Sequence, residues 1–280
     1  MYCENIVLNG SEEPCVSKLS MSWQSTKNRV RWFVTSQLGV NPKVALRFFC
    51  GIPRYLRDLW LFKSAYSGRL DLYPALNDWG KEGGDTDSEY FWQDLLVANM
   101  VYQASPIKHV DIGSRIDGFV AHVASFRQIE VLDVRPITKK IPNVSFIQAD
   151  LMSPIAAKTA YCDSISCLHA IEHFGLGRYG DPIDVQGYNA GLKNMAALLQ
   201  DQGTFYLSTP IGINRVEFNA NRVFDPRIIL QTAQDNNLQL QKLLVVDADC
   251  TVNEYEPATA PWIALAEKNY SLGIFVFKKI

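Results

Sequence analysis

Two groups of residues in this chain have the types and spacing to do chemistry. The first is His169-Ala-Ile-Glu172-His173. An imidazole near its ordinary pKa of about 6.5 can take a proton at neutral pH, and a neighbouring carboxylate can fix its ring. The same string satisfies the H-x-x-E-H zinc pattern, which needs a helix that holds both histidines on one face and a distant third ligand. Here it follows an apolar run that reads as a strand, and the other two histidines are His109 and His122. A third reading is that both rings only satisfy buried polar groups. The second group is a set of acids, Asp111, Asp133 and Asp150, each at or near the end of a short apolar run. Asp111 opens the glycine turn Asp111-Ile-Gly113-Ser114-Arg115.

The elements that must carry these residues alternate. An apolar run ends at Ile112, a glycine turn follows, and a helical pattern with Phe119, Val123 and Phe126 begins. That is the first half of a βαβ unit. Strands are expected at residues 129–133, 143–150, 161–168, 204–209, 238–246 and 271–278. Helices are expected at 90–103, 185–199 and 225–236. Thr86-Asp-Ser-Glu89 fits a capping box for the first of these, and Asp225-Pro226 is an N-cap followed by proline for the last. Gly203 reads as the stop of the middle helix. Strands alternating with helices imply a parallel sheet covered on both faces.

A glycine turn with an acid about twenty residues further on marks nucleotide-type cofactor sites, because the acid can accept from ribose hydroxyls. A dinucleotide needs glycines that admit its pyrophosphate. Arg115 replaces the second glycine of that pattern, and Asp111 would repel phosphates. S-adenosylmethionine has no phosphate and carries an ammonium and a sulfonium, which suits Asp111. With this context, residues 105–280 resemble the class I S-adenosylmethionine-dependent methyltransferases. Two longer strings, His109-Val-Asp-Ile-Gly-Ser-Arg-Ile-Asp-Gly-Phe-Val-Ala-His122 and Leu168-His-Ala-Ile-Glu-His-Phe-Gly-Leu-Gly-Arg-Tyr-Gly-Asp181, resemble a bacterial subfamily that often accompanies genes for surface polysaccharides. Tyr90-Phe91 and Gln93-Asp94 are similar to it as well.

The resemblance implies a Rossmann-like α/β fold. Its seven-stranded sheet would be mostly parallel with an antiparallel last strand, and helices would lie on both faces. It implies that Asp111, Gly113 and Ser114 line the methionine end of the cofactor, that Asp133 takes the ribose hydroxyls, and that Asp150 accepts from the adenine amino group with Leu151 against the ring. Arg115 departs from the superfamily's glycine and would pair with the cofactor carboxylate. In the methyltransferase sheet the residues after strand four face the transferred methyl. His173 is then the expected general base, Glu172 its orienting carboxylate, and His169 a wall of the cofactor site. A metal-assisted version would use Glu172 and His173 as ligands; the favoured reading has no metal. Gly175-Leu-Gly-Arg178-Tyr179-Gly-Asp181 reads as a mobile lid. Arg178, Tyr179, Glu217, Asn219 and Arg222 are candidate contacts to a small polar or glycan acceptor methylated on oxygen. The alternative is a scaffold protein that keeps the fold without the chemistry.

The composition is that of an ordinary globular chain: 280 residues, 48% hydrophobic, 20% charged and a net charge of -2. That charge argues against bulk nucleic-acid binding. The first residues lack the basic-then-apolar layout of a signal peptide, and the six cysteines are scattered, so reduced thiols in a cytoplasmic protein are expected. Residues 1–84 read as a leader and a basic helical cap, with the methyltransferase domain at 85–280. Residues 20–70 hold nine Lys or Arg against the single acid Asp58, interleaved with Trp and Phe. Pro42 and Pro53 should divide that stretch into two or three helices. Its plain reading is a solvated basic face; the sharper one is docking of residues 23–69 to an anionic membrane surface or assembly partner, at the periphery of the inner membrane.

Overall fold

The computed structural model describes residues 42–78, 83–84, 86–155 and 159–280, with side chains from Val44 onward. The chain forms two compact units, Met1–Gly84 and Asp85–Ile280. In the first, helix α1 (Pro42–Ala65) is one continuous element with Pro53 inside it. The expected break at Pro53 does not occur. Runs of Leu, Arg and Phe on either side carry the helix through, at the loss of one backbone hydrogen bond. Leu46, Phe49, Trp60 and Phe62 are exposed on it, beside Arg57. The rest of the expected docking stretch, 23–41, and the leader lie outside the described residues.

The second unit opens on α2 (Glu89–Ala104). Ser88 is its N-cap and makes no side-chain cap bond, so the expected capping box is not formed. Glu89 instead accepts from the Tyr270 hydroxyl at 2.6 Å. Val97, Ala98 and Val101 of α2 pack on Phe119, Val120 and Val123, which follow the glycine turn in a π turn (Ile116–Val120) and helix α3 (Ala121–Ala124).

The strands are β1 (His109–Ile112), β2 (Ile129–Asp133), β3 (Val144–Gln148), β4 (Cys162–Leu168), β5 (Leu199–Ile211), β8 (Leu238–Val246), β9 (Val252–Tyr255) and β10 (Ser271–Lys279). They pair in the order β3-β2-β1-β4-β5-β10-β8-β9. The first five are mutually parallel, and β10 runs antiparallel to both its neighbours, β5 and β8. This is the expected methyltransferase sheet with one strand added, the edge strand β9. All four residues of β1 are buried, as a parallel strand covered on both faces must be. Helix α4 (Gly187–Leu198) ends before Gly203, which lies inside β5 rather than stopping a helix. Asp225 caps α5 (Pro226–Gln234), accepting from Arg227 N at 2.9 Å. A six-residue helix, α6 (Trp262–Glu267), precedes β10.

Between β5 and α5 the chain makes a hairpin, β6 (Arg215–Glu217) with β7 (Asn221–Val223). Arg222 ties it to the body. Its guanidinium is buried and donates to the carbonyls of Glu172 and Phe174, at 3.3 and 2.6 Å, and of Asp184 and Val185, both at 3.4 Å. Removing it would orphan several carbonyls at once. Arg222→Met is therefore expected to lower stability by roughly 2–4 kcal/mol; urea unfolding checks this, and a change within about 0.5 kcal/mol would show the clamp to be idle.

Candidate active site

The carboxyl ends of β1, β2 and β4 meet where the strand order reverses, between β1 and β4. Open α/β sheets bind ligands at that switch point. A cleft of about 270 Å³ lies there. Gly113, Arg115, Asp133, Asp150, Leu151, His169, His173, Arg178 and Tyr179 all line it, so most of the sequence-predicted site residues come together. Ile112, Leu132, Val134, Met152 and Phe174 supply the apolar wall.

The turn after β1 is built tightly. Gly113 has φ +68°, and a Cβ there would meet the Ala170 Cβ at 3.1 Å. Only glycine adopts that backbone at little cost and lets the loop after β4 approach so closely. Asp111 and Ser114 lie behind the cleft wall rather than along it. Asp111 is fully buried and accepts from Ser114 Oγ and Ser166 Oγ, both at 2.6 Å, and from Ser114 N at 3.1 Å. Burial pushes its pKa up to about 6, with the hydrogen bonds from Ser114 and Ser166 opposing. The chain continues through Ser166 to His109, whose ring also meets Ser164 at 2.8 Å. Burial drives His109 down to about 3, so it is neutral. Asp111 thus holds the turn's shape from inside.

Arg115 lines the cleft and pairs with Asp117 at 2.9 Å. Asp133 is not open. Arg135 grips it with two bonds, Nη2 to Oδ2 at 2.6 Å and Nε to Oδ1 at 3.0 Å, and Arg135 N adds a third at 2.8 Å. Nothing in the sequence patterns signalled Arg135, because the pairing depends on a turn made after the strand ends. Asp150 accepts from Met152 N at 2.9 Å through Oδ1, and Oδ2 has no hydrogen bond among the described residues.

The loop after β4 differs from its expected wiring. His169 takes φ +52°, and its Nδ1 reaches Glu172 Oε1 at 2.7 Å. Its Nε2 lies 3.3 Å from Glu89 Oε1 without an aligned hydrogen bond. Burial disfavours the charged ring, but Glu172 and then Glu89 outweigh it and raise the pKa to about 9. His169 is therefore an imidazolium between two carboxylates. Glu172, expected to orient His173, serves His169 instead and sits 3.8 Å from His173 Nε2. The group that orients His173 is the Ala220 carbonyl, at 2.7 Å from Nδ1. Nδ1 donates there, which leaves Nε2 with a lone pair. Burial lowers the His173 pKa, Glu172 raises it and Arg178 lowers it, with a net downward shift.

The glycine-rich stretch is a pinned loop. Asp181 accepts from the N–H groups of Gly175, Gly177 and Tyr179 at 2.9, 3.2 and 3.1 Å. Glu217, Asn219 and Arg222 do not line the cleft. Glu217 pairs with Arg215 on the hairpin at 2.9 Å, and Arg222 is the buried clamp described above. The hairpin reaches the site through the backbone of Ala220. Tyr90 entered the sequence reading only through the resemblance of Tyr90-Phe91 to the subfamily, with no role attached. It stacks on His169 with ring centres 4.5 Å apart, and burial lifts its pKa to about 12. Glu89 was read only as a cap.

Residues 119–231 match the family described as "Caenorhabditis protein of unknown function, DUF268". No curated protein sequence matches the chain. Among solved structures, the Burkholderia thailandensis 1,6-didemethyltoxoflavin-N1-methyltransferase, crystallised with S-adenosylhomocysteine, is 12% identical. The match covers 68% of this chain and 79% of that one, with a TM-score of 0.46. The N-methyltransferase NodS from Bradyrhizobium japonicum WM9 is 13% identical over 70% and 93% of the two chains, with a TM-score of 0.47. The [4+2]-cyclase SpnF is 14% identical over 66% and 81%, also at 0.47. Likeness at this level concerns fold, and the fold assignment itself rests on the strand order and register above.

Proposed function

We propose that this protein is an S-adenosylmethionine-dependent methyltransferase that methylates an oxygen of a small polar or glycan acceptor. The observation that carries the reading is His173. It is a buried neutral imidazole, held through Nδ1, with no hydrogen bond to Nε2 among the described residues and Glu172 Oε1 3.8 Å from it, in the same cleft as Asp133, Asp150 and Leu151 at the strand ends. The residues present fit the cofactor. Ile112, Leu132, Val134 and Leu151 offer an apolar slot for an adenine ring, and Asp150 Oδ2 is available to its amino group. Arg115 can hold a carboxylate. Asp133 can accept ribose hydroxyls after exchanging Arg135 for them. Two acidic side chains, Glu89 and Glu172, flank His169 beside the cleft, a setting that suits a sulfonium.

When bound, the cofactor supplies an electrophilic methyl group. Transfer is an in-line displacement, so catalysis is mostly positioning. The work left to the chain is to take the acceptor's proton, and His173 Nε2 is the group placed for it. The resemblance of the strings at 109–122 and 168–181 to a surface-polysaccharide subfamily supports a glycan-related acceptor and a cytoplasmic enzyme that works at the inner membrane. The division at residue 84 supports a separate docking role for the first unit. Among the described residues no helix is long and apolar enough to cross a membrane, and α1 instead exposes Phe49, Trp60 and Phe62 with basic neighbours. The scaffold reading draws on one observation: both oxygens of Asp133 are already held by Arg135.

Calorimetry separates the two readings. S-adenosylhomocysteine is expected to bind and NAD not to; no binding of the adenosyl ligand would favour the scaffold. His173→Ala is expected to lower turnover on the acceptor by roughly 10²–10⁴-fold with little change in cofactor affinity. Because burial lowers the His173 pKa, the rising limb of the wild-type pH–rate profile should fall below about 6.5 and vanish in the variant. His169 stays charged until about pH 9 and should add no limb near neutrality. A variant with near-normal turnover would move the base elsewhere. The full chain should also co-sediment with vesicles of acidic phospholipid at low salt and release at high salt; failure to sediment at low salt would remove the membrane role.

A further inference from the structure

Three guanidinium groups line the cleft, those of Arg115, Arg135 and Arg178. Two are neutralised, Arg115 by Asp117 at 2.9 Å and Arg135 by Asp133 at 2.6 Å. Arg178 has no carboxylate partner among the described residues. The acid of its own loop, Asp181, is occupied by three backbone N–H groups. Yet Arg178 is held in place. Its Nη1 donates to the Ala220 carbonyl at 2.7 Å, and its guanidinium carbon stands 5.2 Å from the centre of the Tyr179 ring. Tyr179 is itself packed against His173 edge to face, with ring centres 5.5 Å apart.

The same carbonyl oxygen takes the Nδ1–H of His173, so the two side chains are pinned side by side, 3.4 Å between Nη1 and Nδ1. One carbonyl oxygen thus serves both a neutral imidazole and a full guanidinium charge, and no carboxylate among the described residues balances that charge. Arginine has five N–H donors, and Arg178 uses one of them here. Its remaining fork matches a carboxylate or phosphate in a bidentate grip.

We propose that Arg178 is the receptor for an anionic group on the acceptor, and that the acceptor is an acidic molecule bearing a carboxylate or a phosphate next to the hydroxyl that meets His173. The fate of that hydroxyl rests on the methyltransferase reading; the capture of the anion does not. Burial is the main cause of the lowered His173 pKa and the Arg178 charge adds to it; an oxyanion on Arg178 would offset that second part, so acceptor binding would strengthen the base it needs.

The test uses the full chain and three sugars that differ only in the group at carbon 6, a hydroxymethyl, a carboxylate or a phosphate ester: glucose, glucuronate and glucose 6-phosphate. Titration calorimetry at millimolar ligand is run with and without S-adenosylhomocysteine. One or both acids should bind and glucose should not, and the preferred acid tells carboxylate from phosphate. Arg178→Ala should weaken that acid by roughly tenfold or more, as for loss of a charged hydrogen-bonded pair, and Arg178→Lys should recover part of it. S-adenosylhomocysteine affinity should stay near wild type in both. If Arg178→Ala fails to fold, Arg178→Gln keeps a donor toward Ala220 and is read the same way. Equal binding of glucose, wild-type affinity for the acid in the variant, or no acid binding to the wild type overturns the proposal. Acid binding without any S-adenosylhomocysteine binding would instead remove the methyltransferase reading and leave the anion receptor.

Discussion

The site is organised around one buried ion pair, the His169 imidazolium with Glu172, flanked by Glu89. The three residues come from separate parts of the fold: the end of β4, the 3₁₀ turn Ile171–His173, and the first turn of α2. Tyr270, just before β10, adds its hydroxyl to Glu89, and Gln93 of α2 is bonded by Ser208 of β5. Ser208 also receives the backbone N–H of His169. A lone buried ion is costly, and a triad with these hydrogen bonds offsets that cost only while every member is in place. The raised His169 pKa stabilises the fold fully below about 6.5 and is lost as pH rises through about 9. The lowered Glu172 pKa acts in the opposite sense, with its contribution lost as pH falls below the usual carboxylate range. The triad therefore favours a folded site across neutral pH and ties α2 to the sheet's switch point.

This pairing also decides which histidine is free. Once Glu172 is committed to His169, His173 cannot have it as a close partner. The ring is oriented from the other side, by a main-chain carbonyl on the hairpin after β5. That carbonyl is positioned by Arg222, whose guanidinium holds β7 against the carbonyls of residues 172, 174, 184 and 185. A residue outside the cleft thus sets the geometry of a residue inside it. The loop between them is stiffened by Asp181, so the cleft has a shaped wall where the glycine-rich sequence predicts a mobile lid.

In the same cleft, Arg135 links three features. It neutralises Asp133, donates to the Gly113 carbonyl at 3.3 Å, and lies 4.5 Å from the centre of the Tyr179 ring. A ligand that claims Asp133 must therefore displace a guanidinium that also touches the loop over the site. Ligand entry and loop position are coupled through this one side chain.

Much of this was written locally. The alternation of apolar runs and helical stretches gave the strands in order, because parallel strands covered on both faces must be short and apolar. Acids at strand ends and a glycine turn marked the ligand edge of the sheet, since those positions face the switch point in any such fold. The sequence also pointed to the helix opening at Asp225-Pro226, where cap and proline act within one turn. What it could not decide were partnerships across the chain. Adjacency made Glu172 look like the partner of His173, but a positive φ at His169 turned that ring onto it instead. Glu89 read as a cap, yet it lies 3.3 Å from His169, a residue eighty positions away. Arg222 and Glu217 looked equally suited to a ligand; burial made one a clamp and the hairpin's own pairing absorbed the other. Charges and hydrogen bonds reach only a few ångströms, so which groups meet is fixed by the packing of elements, and only the tertiary structure supplies that.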